Sequence, residues 1–317
     1  MEIRDFRNVH ELLKETVDRF GDRVAYRSIS DGGEMDSVSW NEFYDQVRGA
    51  AKSFIALGVG KDDKVNILSY SNYRWVLTDL ASASIGSCAV GIYHSLLVKD
   101  IRHIVKHSDA VLVFAEDLGQ VSKLMEIRGD IPDVRKVVLF SGAPPADDWV
   151  ITYEEFLELG AEVPDDALEA RMADVEADDA ATIVYTSGTT GVPKGSVITH
   201  DNLTFTSQSV FHCFQSEDGD VTLLFLPLQV RELRDPDYVA FEDATQAVGL
   251  EDELQRAAPG HFVQLQGHLA AHPGVHDDVQ SRDVGEQPED VLEVSVLEVE
   301  ADRRSQVSGL STCHAER

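Results

Sequence analysis

Short, almost unbroken apolar runs alternate with helix-compatible segments through most of the chain, and this alternation restricts the fold more than any other feature. The runs fall at residues 65–70, 89–93, 111–115, 136–140, 181–185 and 221–226. Segments with helical periodicity lie between them at 75–85, 98–107 and 118–127. A strand that is apolar at consecutive positions is buried on both faces. With helices alternating along the chain, the arrangement predicts a parallel sheet covered on both sides. Ser39 and Glu42 form a capping box that opens a helix through Val47, Ala51 and Phe54, and Gly58 stops it. Thr152 and Glu155 repeat the device ahead of a shorter helix.

The alternation ends near Leu228, where the composition changes abruptly. All nine lysines, Lys14 to Lys194, precede it, and residues 229–317 contain no Lys, Ile, Asn, Met or Trp. Those same residues hold five of the 11 histidines and eight of the 12 glutamines. The missing amino acids share codons that begin AT or AA, which a shifted reading frame in a GC-rich gene loses together. The expected organisation is therefore a domain at 1–228 and an acidic, largely irregular tail at 229–317 that is read out of frame.

Charge and cysteine content narrow the function classes. A formal net charge of −30 repels phosphate backbones and argues against a nucleic-acid partner. An acid excess of this size is typical of cytoplasms with molar salt, where screening acts over about 3 Å. Cys88, Cys213 and Cys313 are scattered, with neither metal-site nor disulfide spacing. The longest apolar runs fall far short of the roughly 20 residues that span a bilayer. The charged start, residues 1–7, is not a signal core. A cytoplasmic protein is expected.

The strongest chemical signal follows the run at 181–185. It reads Tyr185-Thr186-Ser187-Gly188-Thr189-Thr190-Gly191-Val192-Pro193-Lys194-Gly195. Glycines clear space for backbone N–H groups to close around an anion, hydroxyls add donors, Lys194 adds positive charge, and Pro193 limits the loop's freedom. The P-loop ending Gly-Lys-Ser/Thr and the dinucleotide pattern G-x-G-x-x-G are both absent. A polyphosphate cradle is expected.

This segment resembles the phosphate-binding signature of the adenylate-forming superfamily. Its sequel, Ile198-Thr199-His200-Asp201-Asn202-Leu203, is similar to the family's Thr-His-x-Asn-Leu, although Ser196 stands where members usually carry an apolar residue. Asn72-Tyr73-Arg74-Trp75, Asp79-Leu80-Ala81, Gly91-Ile92-Tyr93 and His107-Ser108-Asp109 resemble the long-chain fatty acyl-CoA synthetase branch. The resemblance implies the N-terminal part of the adenylate-forming fold, α/β with parallel sheets flanked by helices. It implies that ATP and a fatty acid give acyl-AMP, that the acyl group passes to coenzyme A, and that Mg²⁺ assists. It also implies that Thr186, Ser187, Gly188, Thr189, Thr190, Gly191 and Lys194 hold the β- and γ-phosphates. Another carboxylate-activating branch, or a non-catalytic ATP- or polyphosphate-binding remnant, is the alternative.

Downstream the resemblance stops. Leu226-Pro227-Leu228 is present, but Gln229-Val230-Arg231 does not continue it. The family's Tyr-Gly-x-Thr-Glu segment does not follow, and a tail without lysine cannot supply the carboxy-terminal catalytic lysine. The polypeptide alone is expected to be inactive. His268, His272 and His276 have helical spacing for a metal, but Pro273 breaks that helix. Trp75 and Tyr93 are expected to pack rather than bind ligand, and His94 and His200 to be structural.

Overall fold

The computed structural model describes residues 6–29, 35–186, 192–214, 263–267 and 294–298. It divides into two units, Met1–Glu242 and Asp243–Arg317. In the second unit the described residues form strands β10 (Val263–Gly267) and β11 (Val294–Glu298), paired antiparallel. Within the first unit, helix α1 (Val9–Phe20) is capped by Asn8, whose side chain accepts the Glu11 N–H. A hairpin of β1 (Val24–Ile29) and β2 (Met35–Ser39) follows, paired antiparallel and apart from the main sheet.

Helix α2 (Trp40–Ala56) opens on the Ser39/Glu42 capping box with both reciprocal bonds made. It ends where Gly58 takes a positive φ of 72°, a conformation that costs glycine little. Next come β3 (Lys64–Leu68), α3 (Tyr73–Ser84), β4 (Cys88–Ile92), α4 (Val98–His107), β5 (Ala110–Ala115) and α5 (Leu118–Ile127). Then β6 (Lys136–Leu139), β7 (Val150–Thr152), α6 (Tyr153–Leu159) and α7 (Asp165–Ala173) lead to β8 (Ala180–Thr186), β9 (Lys194–Thr199) and α8 (His200–Phe214). Thr152 and Glu155 cap α6 reciprocally.

Seven strands form one sheet in the order β7-β6-β5-β3-β4-β8-β9. All neighbours are parallel except β8 and β9. Alternation along each strand sends side chains to two separate cores. Val65, Ile67, Leu112, Phe114 and Val138 join an aromatic core under α1, α2, α3 and α6. Val90, Ile92, Val113, Val137 and Leu139 join an aliphatic core under α4 and α5. This double coverage explains why the strands read as continuous apolar runs. Trp75 is buried in the first core. Close approach of α2 to the turn after α6 requires glycine, since a Cβ on Gly160 would lie 2.8 Å from the Ser53 backbone N and 2.9 Å from the Gly49 carbonyl oxygen.

The run expected as a strand at 221–226, the tail histidines, and Cys313 lie outside the described residues. Cys88 is buried and forms no disulfide among the described residues. Among the described residues no helix is long and apolar enough to cross a membrane.

Candidate phosphate-binding site

Strand β8 lies parallel to β4, with Ala89 opposite Thr182 and Gly91 opposite Val184. The Thr182 hydroxyl donates to the Ala89 carbonyl at 2.9 Å and fixes that register. The carboxyl end of β8 therefore emerges at the same edge as those of β3, β4 and β5. Ligands of open α/β sheets bind outside this edge.

At that edge the chain turns back on itself. Strand β9 runs antiparallel to β8, with Tyr185 opposite Gly195 and Thr186 opposite Lys194. The glycine-rich segment is thus the connection of a hairpin, and both of its ends are fixed by strand pairing. Thr186 and Lys194 belong to the strands rather than to the loop, and both are exposed. Ser187, Gly188, Thr189, Thr190 and Gly191 lie outside the described residues. Gly195 has no room for a side chain, because a Cβ there would stand 2.8 Å from Ile183 Cγ2 and 3.2 Å from the Tyr185 ring. Ser196 faces out of β9 and is exposed, so a hydroxyl in place of an apolar group carries no burial cost.

Two histidines of α4 grip the hairpin on either side of the loop. His103 Nε2 donates to the Pro193 carbonyl at 3.0 Å. His107 Nδ1 and the Tyr185 hydroxyl share a hydrogen bond of 2.7 Å. Burial first, and the charge of Asp109 second, push the Tyr185 phenol up to about 12, so it stays neutral near pH 7. The residue pattern shows both histidines on one helix face at i and i+4, but not that this face meets the loop's ends.

The segment after β9 anchors the hairpin from behind. Thr199 and Asn202 cap α8 reciprocally, with the Asn202 N–H donating to Thr199 Oγ1 and the Thr199 N–H to Asn202 Oδ1, both at 3.2 Å. His200 is fully buried, and its Nδ1 accepts the Val9 N–H at 3.2 Å. Desolvation first lowers its pKa to about 4, with Asp179 opposing and Lys61 adding to the effect. His200 is therefore a neutral tether between α8 and α1, in line with a structural role.

A second polar cluster occupies the switch point between β3 and β5. Ser69 donates to Glu116, and Asn72 Nδ2 donates to Glu116 Oε2 at 2.9 Å. Asn72 also caps α3 by accepting the Trp75 N–H at 2.8 Å. Burial raises the Glu116 pKa, while the Ser69 and Asn72 bonds oppose the rise. His94 stacks on Tyr70 at 3.6 Å between ring centroids. The Glu116 bonds tie the β3–α3 turn to the end of β5, and the His94 stack ties it to the segment after β4. Among the described residues no cluster of three His, Cys, Asp or Glu side chains could hold a metal ion.

A profile described as AMP-binding enzyme matches residues 13–230. The chain is 33% identical over 240 residues to the long-chain-fatty-acid–CoA ligase FadD15 of Mycobacterium bovis, covering 75% of this chain and 39% of that protein. It is 29% identical over 225 residues to the long-chain-fatty-acid–CoA ligase ACSBG2 of Xenopus laevis, covering 69% of this chain and 30% of the relative. It thus spans 30–39% of the length of these curated relatives. A structural neighbour is the A domain of carboxylic acid reductase from Segniliparus rugosus, solved with AMP and a co-purified carboxylic acid. The TM-score is 0.62 at 15% identity, covering 80% of this chain and 48% of the other. That likeness shows the fold.

Proposed function

Because this chain belongs to the AMP-binding enzyme family, we propose that it carries the phosphate-gripping part of an ATP-dependent fatty acid–CoA ligase and is not catalytic by itself. One observation carries this reading: the glycine-rich loop is closed by the paired residues Thr186 and Lys194 at the carboxyl edge of the parallel sheet. Strand pairing at both ends confines the loop before ligand arrives and reduces the entropy lost on binding. In this reading the backbone N–H groups and hydroxyls of Thr186, Ser187, Gly188, Thr189, Thr190 and Gly191 surround the β- and γ-phosphates. Lys194 offsets their charge from the opposite strand. A carboxylate attacking the α-phosphate brings anions together, so a rigid grip on the leaving pyrophosphate favours the reaction. Fatty acid and coenzyme A are the substrates that the named relatives suggest, and ATP is the nucleotide.

The domain boundary proposed at 228 is supported by the family match, which ends at 230, and by the loss of Lys, Ile, Asn, Met and Trp from that point. The nucleotide sequence there tests it. A second frame that resumes a family-like segment and later reads Tyr-Gly-x-Thr-Glu establishes the shift.

Calorimetry and isotope exchange test the reading. The purified chain should bind ATP, and Lys194→Ala should weaken binding roughly tenfold or more, the value of one charge-assisted contact. Labelled pyrophosphate should not exchange into ATP when fatty acid is added. Exchange above background would contradict the proposed inactivity, and unchanged affinity in Lys194→Ala would contradict the phosphate role.

The acid excess supports a second expectation, adaptation to concentrated salt. Added KCl should raise the thermal midpoint by screening repulsion among the carboxylates. A midpoint that falls or stays constant between 0.1 and about 2 M KCl, a range over which the screening length shortens severalfold, would count against it.

A further inference from the structure

The same α4 helix that holds the loop carries the feature hardest to reconcile with a chain of formal net charge −30. Lys99, Arg102, His103, Lys106, His107 and one carboxylate, Asp130, line an open groove of about 430 Å³. Ile101, Ile104 and Val105 face the core, so the basic residues form the outer face of an amphipathic helix. Asp130 pairs with Arg102 at 3.4 Å. Among the described residues neither Lys99 nor Lys106 forms an ion pair, whereas Lys14, Lys52 and Lys61 do. The acidic groups nearest in sequence are Asp100 in the first turn of α4 and Asp109 just beyond its end.

We propose that this groove is a second phosphate site, separate from the glycine-rich loop, which takes a phosphorylated polyanion such as a chain of linked phosphates. Three observations converge on it. Two unpaired lysines sit seven residues apart, so their helix positions are about 10 Å apart along the axis, a spacing suited to linked phosphates rather than to one small anion. Arg102 stands between them and adds a planar donor set. His103 and His107 line the groove and also hold Pro193 and Tyr185, so the groove borders the ends of the loop. The surrounding acid excess repels anions elsewhere and directs them to the basic face. The choice of phosphate over other anions rests on the phosphate reading of the loop. The groove itself does not.

The test is calorimetry with tripolyphosphate at moderate salt on the full chain, on Lys99→Glu/Lys106→Glu and on Lys194→Ala, with circular dichroism verifying the fold. The intact chain should bind two equivalents. The double reversal should weaken one binding event by roughly tenfold or more, as expected for losing two partly exposed charge pairs. Lys194→Ala should weaken the other, and Lys99→Arg/Lys106→Arg should restore the first. Phosphatidylcholine vesicles with and without phosphatidic acid form a parallel arm. Reversal-sensitive binding to the phosphatidic acid vesicles alone upholds the site and assigns the phosphate to a lipid headgroup. If the double reversal binds tripolyphosphate and vesicles as the parent chain does, or if the parent binds neither, the second site is overturned. Loss of binding in Lys194→Ala alone would overturn the second site and leave the loop reading intact. Loss in the double reversal alone would do the opposite.

Discussion

Phe114→Ala should destabilise the domain by about 3–5 kcal/mol, the usual cost of deleting a buried ring and leaving its cavity. Phe114 is fully buried near the carboxyl end of β5. Its ring meets Phe54 at 5.6 Å and Phe156 at 5.2 Å, both edge to face, and Phe140 at 5.6 Å. The three partners come from α2, α6 and the end of β6, so the ring joins helices to the sheet at one point. At about 2–4 °C per kcal/mol for a domain of this size, the thermal midpoint should fall by roughly 10 °C. Thermal unfolding followed by near-ultraviolet circular dichroism measures it, and Phe114→Leu should lose much less. A loss below about 1 kcal/mol in Phe114→Ala would mean that the aromatic cluster is not the packing centre described.

Acid should act on the fold through His200. Its pKa is lowered from 6.5 to about 4 in the folded chain, first by desolvation. The unfolded chain then takes up a proton near pH 6.5 that the folded chain refuses. The contribution of the neutral imidazole is therefore complete above pH 6.5 and lost as pH falls from 6.5 toward 4. The loss amounts to about 3 kcal/mol. His10, whose pKa burial also lowers, acts in the same direction. Denaturant unfolding at pH 7 and pH 4.5 of the parent chain and of His200→Gln separates this effect from the carboxylates. The variant should lose clearly less stability between the two pH values, and parallel losses would exclude His200 as the cause.

The parts of the fold legible in the residues are those where local pattern and tertiary packing agree. Helices α4 and α5 fall on the expected 98–107 and 118–127, because amphipathic periodicity states their limits directly, and Asp117 adds a side-chain cap to α5. Buried strands such as β5 and β6 are equally plain, since both faces demand apolar residues. The β1–β2 hairpin escapes that logic because it stands outside the main sheet and its strands mix polar with apolar residues. Strand β9 escapes for a related reason. Its Lys194, Gly195, Ser196 and Val197 are exposed and carry no burial pattern, and they become a strand only by pairing with β8.

The same limit applies to the site. The glycine-rich chemistry is visible in the residues alone, and so is the strand before it. That His103 and His107 of a distant helix hold the loop's ends depends on packing across roughly 80 to 90 residues of chain. No local pattern encodes such contacts. The paired histidines at i and i+4 were the available signal, and helical spacing alone does not name the partner.

Amide chemical-shift mapping with ATP tests most directly whether the hairpin loop is the phosphate cradle. On isotope-labelled chain, the largest shifts should fall within residues 185–195, and Lys194→Ala should diminish them. ATP binding that leaves those amides unmoved, or that shifts only amides elsewhere in the sheet, would contradict the account.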